Sequence, residues 1–319
     1  MTPRHWIHIA VTALSIALLL SLPRVLASES PEITREQTLI LGTLSSNPKK
    51  AFKRAQPFAD YLAANLHQHG IVQAKVVVAK TNLQLANWVK SGQVDIVSET
   101  VYASDDLIKY SHAEMIARRW KNGVANYASL FFVHQDSDIH TLDDLVGKVI
   151  VFEDRNSTSA FLIPISMLIE QGYPLHEVTS PRDLPPADKI GYFFSDEFSS
   201  AGGESNMMSW VHRKIVSAAA FSDIDWEKEI PAPIKEQLRV IYTSPSVPRA
   251  FMLVRPDMVP DLKQAISQVL FLADQDPSAV LPLKKYKETA KFDPITDDIE
   301  QSIVWSLQQK ALVDQYLGR

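Results

Sequence analysis

Apolar positions along this chain gather in short runs that switch between strand-like and helix-like spacing, and the alternation predicts strands each followed by a helix. Residues 38–44 form a leucine-rich and β-branched run that reads as a strand, ended by the turn Ser45-Ser46-Asn47-Pro48. Phe58, Tyr61, Leu62 and Leu66 then recur at helical spacing, with Phe52 upstream and Gly70 standing where a helix-closing glycine is expected. Residues 74–79 read as a strand, 83–89 as a short amphipathic helix and 94–97 as another strand. Such order predicts an α/β protein with a parallel or mixed sheet flanked by helices.

The pattern repeats further on. Residues 127–133 are a strong strand, 149–152 a buried strand, 159–170 a helix and 190–194 a strand. A glycine and hydroxyl turn at 199–204 opens a helix carrying Met207, Met208, Trp210 and Val211, and residues 215–221 return as a strand that leaves Ser222-Asp223 at its C-terminal end. Ligands of open α/β sheets bind at such ends. Residues 240–248 read as a crossing segment, 250–254 as the next strand, and 258–319 as mostly amphipathic helix that most simply packs back on the first lobe. The expected division is lobe one from 28–127 plus 243–319 and lobe two from 128–242, joined by two crossovers near Tyr127 and Thr243.

One polar stretch interrupts this pattern in an informative way. Asn156, Ser157, Thr158 and Ser159 stand between the strand ending at Phe152 and the apolar run Phe161-Leu162-Ile163-Pro164. A helix that starts at such residues points unpaired backbone N–H groups and the positive end of its dipole outward, where a phosphate-like group can be held without an arginine. An ordinary N-cap is the plainer reading, although a cap needs only one hydroxyl.

Composition narrows the class. The chain has 319 residues, 46% of them hydrophobic and 22% charged, and a formal net charge of −5, which fits a soluble two-domain protein and does not suggest a polyanion such as nucleic acid as partner. Arg4 and His5 precede an apolar stretch from Trp6 to Leu22, and Val25-Leu26-Ala27 offers small residues for cleavage before Ser28. Residues 1–27 are therefore expected to be a cleaved signal peptide, with an uncleaved anchor as the rival. Cysteine is absent, so stability must come from core packing, and the expected place is a bacterial periplasm.

In this order the segments resemble the substrate-binding proteins of phosphonate, phosphite and phosphate ABC importers, which have the type II periplasmic binding protein fold. Phe152-Glu153-Asp154-Arg155-Asn156-Ser157-Thr158-Ser159-Ala160-Phe161-Leu162-Ile163-Pro164 is similar to the family's strand, Ser-Thr-Ser turn and helix. Gly92-Gln93-Val94-Asp95-Ile96 followed by Tyr102, then Tyr127, Thr141-Leu142-Asp143-Asp144-Leu145, and Ser244-Pro245-Ser246-Val247-Pro248 support it in sequence. The resemblance implies two lobes that close on a ligand. Ser157, Thr158 and Ser159 would take the phosphonyl oxygens, Tyr127 and Tyr102 would line the cleft, and Ser45 and Ser46 would supply facing donors. Glu204 and Asn206 match the family's acid-x-Asn, and Asp223 the site after the next strand.

Departures bear on the ligand. Thr100-Val101 stands where Gly-Pro is common, and Gly203 replaces a frequent histidine donor. Arg249-Ala250 stands where aminophosphonate binders place a carboxylate, which favours a small oxyanion over an alkylamine headgroup. The implied function is delivery of a phosphonate, phosphite or related oxyanion to an ABC permease in the inner membrane by a monomer, without chemistry and without a cofactor. A sensor input for a membrane kinase is the alternative. The histidines show no metal-ligand spacing, Ser157 lacks a nucleophile elbow, and no glycine-rich phosphate loop with its lysine is present.

Overall fold

A computed structural model describes residues 34–45, 47–198 and 203–318. The expected signal peptide and Ser46 lie outside the described residues, as does most of the 199–204 turn. Strands follow the chain as β1 (Thr38–Leu44), β2 (Gln73–Ala79), β3 (Ile96–Glu99), β4 (Glu114–Arg119), β5 (Asn126–Tyr127), β6 (Ser129–His134) and β7 (Val149–Phe152). They continue as β8 (Leu175–Glu177), β9 (Ile190–Phe194), β10 (Ala218–Ser222), β11 (Leu238–Thr243), β12 (Val247–Pro248), β13 (Phe251–Val254) and β14 (Phe292–Asp293). Helices are α1 (Pro48–Asn65), α2 (Asn82–Lys90), α3 (Val101–Ser111), α4 (Ile163–Glu170) and α5 (Gly203–His212), then α6 (Asp223–Lys228), α7 (Ala232–Lys235), α8 (Pro260–Leu272), α9 (Val280–Lys285) and α10 (Asp297–Leu317).

The strands form two mixed sheets, each flanked by helices. The first has the order β14-β4-β13-β3-β1-β2, with β1 parallel to β2 and β3, and β13 antiparallel to β3 and β4. The second has the order β11-β6-β10-β7-β9-β8, parallel through β10, β7, β9 and β8, with β6 antiparallel to β10 and β11. Val149-Ile150-Val151-Phe152 and Ser129 to His134 are buried throughout, as interior strands covered on both faces must be. Between the sheets the chain crosses twice, and β5 and β12 pair antiparallel as a two-stranded ribbon. Further bonds tie the ribbon's ends: Arg249 N–H donates to the Ala125 carbonyl, and Ser244 N–H to the Ser129 carbonyl, at 2.8 and 2.9 Å.

Several local features follow from single residues. Asn47 caps α1 by accepting from Lys50 N–H at 3.0 Å, and Pro48 opens the helix where its missing N–H costs nothing. A Cβ on Gly42 would stand 2.8 Å from Leu85 and Val94, so glycine lets α2 pack closely on β1. Asp95 is 4% exposed and accepts from Arg35, Arg255 and Ile40 N–H, which gives the Gly92 to Ile96 motif a structural role in pinning β1 against β3.

Three differences from the pattern reading stand out. α1 ends at Asn65, and Gly70, with φ of +81°, closes a separate short turn at His67–His69. β4 and α3 escape the periodicity because Glu114-Met115-Ile116-Ala117-Arg118-Arg119 mixes charge into an interior strand, and α3 buries Ser104 and Asp105 beside its apolar residues. α10 does not pack on the first lobe alone. It lies against α4 of the second lobe and α3 of the first. Lys310 pairs with Asp105 and Asp106 at 3.1 and 3.0 Å, while the Tyr316 hydroxyl accepts from Leu175 N–H at 2.9 Å. Aromatic and charged residues on opposite flanks of one long helix let it face two partners, which a search for a single apolar stripe does not see.

Candidate functional site

The hydroxyl turn opens a helix of mixed pitch. Ser157 has extended backbone and its Oγ accepts from Ala160 N–H at 3.2 Å, a regular cap. Thr158–Leu162 then winds as a π-helix that runs straight into α4. Thr158 and Ser159 head this helix, so no carbonyl behind them in the helix can accept from their N–H groups. Asp154 holds the approach by accepting from Asn156 N–H at 2.7 Å. Arg155 pairs with Glu177 and Glu197, so its charge is answered by carboxylates rather than left at the start of the helix.

A cavity of about 480 Å³ opens on this turn, lined by Ser157, Thr158, Ser159, Tyr127 and Glu204 among the expected residues. The remaining expected residues are placed elsewhere. Ser45 lines a second cavity of about 110 Å³, its Oγ taken up in a turn with Asn47. Tyr102 faces a third cavity, of about 150 Å³, together with Asn156 and Lys310, and its hydroxyl is buried with no hydrogen-bond partner among the described residues. Asn206 lines none of these three, and its Nδ2 is also buried, with no hydrogen-bond partner among the described residues. The Asp223 carboxylate accepts from Ala128 N–H at 3.1 Å and Ile224 N–H at 2.9 Å, so it fastens the end of β10 to the crossover. Asp225, two residues on and on the outer turn of α6, lines the main cavity instead.

Sequence reading missed the charged walls. Arg54 from α1, Lys121, Arg249 and Lys287 line the cavity from the first-lobe side and the crossover. Arg249 is 8% exposed, its guanidinium carbon lies 4.4 Å from the centroid of the Tyr127 ring, and its Nε has no partner among the described residues. Burial, together with the positive charges of Arg249, Lys287 and Arg119, holds the Lys121 ammonium well below its usual range. These residues lie far apart in sequence, and only the crossover ribbon and the β4 terminus bring them together.

On the second-lobe side Glu153 sits at the end of β7, where burial and the charges of Glu204 and Asp154 push its carboxyl up to about 8. A Cβ on Gly203 would lie 2.4 Å from Glu153 Oε1, so the missing side chain at 203 makes the room that the Glu153 carboxyl fills. Thr158 Oγ1 donates to Thr100 Oγ1 at 3.0 Å, a contact that the departure at Thr100 makes possible. No group of three or more metal-ligating side chains occurs among the described residues.

Comparison with known proteins places this architecture. The family model described as ABC transporter, phosphonate, periplasmic substrate-binding protein matches residues 41–299. The chain belongs to this family. Its fold is that of the type II periplasmic binding proteins, as the two mixed sheets and the crossover ribbon require. Among solved structures, XAC2383 from Xanthomonas citri bound to chloride ion is 28% identical, with a TM-score of 0.80, covering 88% of this chain and 99% of that one. The same protein bound to ATP matches with a TM-score of 0.79 at 28% identity, covering 87% and 98%. PhnD1 from Prochlorococcus marinus in complex with methylphosphonate shares 16% identity and a TM-score of 0.62, covering 86% and 99%. As a substrate-binding protein of this family, the chain works with a small-molecule ligand and a permease, and the family is typically periplasmic. No helix among the described residues is long and apolar enough to cross a membrane.

Proposed function

We propose that this protein binds a phosphonate, phosphite, phosphate or related phosphorus oxyanion between its lobes and delivers it to an ABC importer, without chemistry. The observation that carries this reading is the Ser157-Thr158-Ser159 helix start opening into the same cavity as the buried Arg249, whose Nε has no hydrogen-bond partner among the described residues. The N–H groups of Thr158 and Ser159 meet the anion from the second lobe, and Arg249 and Lys121 meet it from the crossover and the first lobe. Because these donors sit on different lobes, the ligand favours the closed arrangement by contacts that only closure brings together. The Glu153 carboxyl, neutral below about 8, donates a hydrogen bond to an anionic oxygen on the side where Gly203 offers no donor.

Export with removal of residues 1–27 and a monomeric state complete this reading. Glu204 and Asp225 on the same cavity wall give an ammonium group a place to be met, so the argument from Arg249 against alkylamine headgroups weakens. Homologues differ in what they hold, from methylphosphonate in PhnD1 to ATP in XAC2383, which supports a phosphorus oxyanion in general terms. Thermal shift followed by calorimetry tests the reading with phosphate, phosphite, methylphosphonate, aminoethylphosphonate and sulfate. At least one phosphorus oxyanion should raise the melting temperature and sulfate should do so less. If no phosphorus oxyanion shifts it, the reading fails.

A further inference from the structure

The second cavity is more strongly cationic than the first. It opens at the C-terminal ends of β1 and β3, where Lys50, Arg54, Arg119, Lys121 and Lys287 line it against a single carboxylate, Glu99. Arg54, Lys121 and Lys287 line the first cavity as well, so the two spaces meet along that wall. Arg119 is 3% exposed, and its guanidinium donates to Thr289 Oγ1 at 2.9 Å, to Ser98 Oγ at 3.1 Å and to the Tyr286 carbonyl, all neutral acceptors. The Tyr286 ring lies 3.6 Å from it. Neither Arg119 nor Lys121 forms an ion pair among the described residues. Buried charge without a counter-ion is costly, and one carboxylate against five cations leaves a field that an anion would neutralise.

Size points the same way. About 480 Å³ lies within the range of roughly 300–1,000 Å³ that organic ligands occupy, and the second cavity adds about 110 Å³. A single tetrahedral oxyanion on the Thr158 turn would leave the far cations unanswered. Resting on the reading of the first cavity as an anion site, we propose that the second cavity takes a second anionic group of the same ligand. The cargo is then a compound with phosphoryl or phosphonyl groups at two positions, such as a bisphosphate, a bisphosphonate or a pyrophosphate-containing molecule. One group sits on the N–H groups of Thr158 and Ser159, the connecting atoms pass Arg54, Lys121 and Lys287, and the second group reaches Lys50 and Arg119.

Calorimetry at fixed ionic strength, near 0.2 M so that surface attraction is screened beyond about 8 Å, separates the two statements. Phosphate and methylphosphonate serve as one-group probes, and pyrophosphate and propane-1,3-bisphosphonate as two-group probes. The expected result is tighter binding of at least one two-group probe by about tenfold or more, as one added charge-assisted contact gives. Lys50 is exposed and lines only the second cavity, so Lys50→Gln should fold normally and reduce the ratio of two-group to one-group affinity about fivefold. Equal affinity for both kinds of probe overturns the two-site inference while the proposed function stands. An affinity ratio that Lys50→Gln leaves unchanged overturns it too. If no probe of either kind binds, the anion reading of the first cavity fails and the inference falls with it.

Discussion

The two walls of the main cavity are built from opposite chemistry. On the second-lobe wall, one contiguous turn offers backbone N–H groups, hydroxyls and a neutral carboxyl, with carboxylates from Glu204 and Asp225 nearby. On the first-lobe wall, cations from α1, the end of β4, the crossover and the segment after α9 converge. Under the proposed function the first kind of wall would orient a tetrahedral group and the second would supply charge. Such a division would place direction and attraction on separate sides of the cavity, so that only a closed form would have both.

If the cationic wall supplies most of the affinity, changes there should outweigh changes on the turn. Arg249→Met keeps the stem over Tyr127 and removes the charge, and should weaken oxyanion binding about 50-fold in calorimetry, since a charge-assisted bond is worth ~1.5–3 kcal/mol. Lys121→Met should cost about tenfold, and in alkaline buffer it should also reduce proton uptake on binding, because a ligand anion raises the depressed ammonium toward its usual range. Heats measured in buffers of different ionisation enthalpy read that uptake. Ser157→Ala with Thr158→Ala should cost about fivefold, as neutral hydroxyl bonds are worth ~0.5–1.5 kcal/mol and the backbone N–H groups remain. A larger loss from the turn than from Arg249 would reverse the comparison.

Glu153 sharpens it through pH. Its carboxyl has a usual value of 4.5 and is pushed up to about 8 in the fold. Between these values the unfolded chain has released a proton that the folded chain keeps, so stability falls as pH rises through that window and levels off above it. Glu153→Gln should remove this decline and raise the melting temperature by a few degrees at pH 8, with little change at pH 4. The same substitution should flatten the fall of oxyanion affinity above about pH 8. The smallest effect is expected from Thr100→Val, about twofold in affinity, since it removes one part-buried hydroxyl contact to Thr158.

Legibility in the sequence follows the same division. The turn at Asn156 to Ser159 is local, and its residue types announce a helix start whatever surrounds them. Strands such as β6 and β7, buried throughout, are equally plain because β7 and the centre of β6, Leu130 to Val133, are wholly apolar. Arg54, Lys121, Arg249 and Lys287 carry no local pattern, and a net charge of −5 averages their field away. Their convergence depends on β13 returning from the second lobe into the centre of the first sheet. Asp223 and Asp225 show the finer limit. Both stand after β10, and only the start of α6 decides which carboxylate is spent on backbone N–H groups and which faces the cavity.

The most direct test is a crystal structure of the protein with methylphosphonate or phosphate. The account predicts phosphorus density at the head of the π-helix, with anion oxygens within hydrogen-bond distance of Thr158 and Ser159 N–H and of the Arg249 guanidinium. Density at another place, with that turn empty and the Arg249 guanidinium away from the anion, would contradict it.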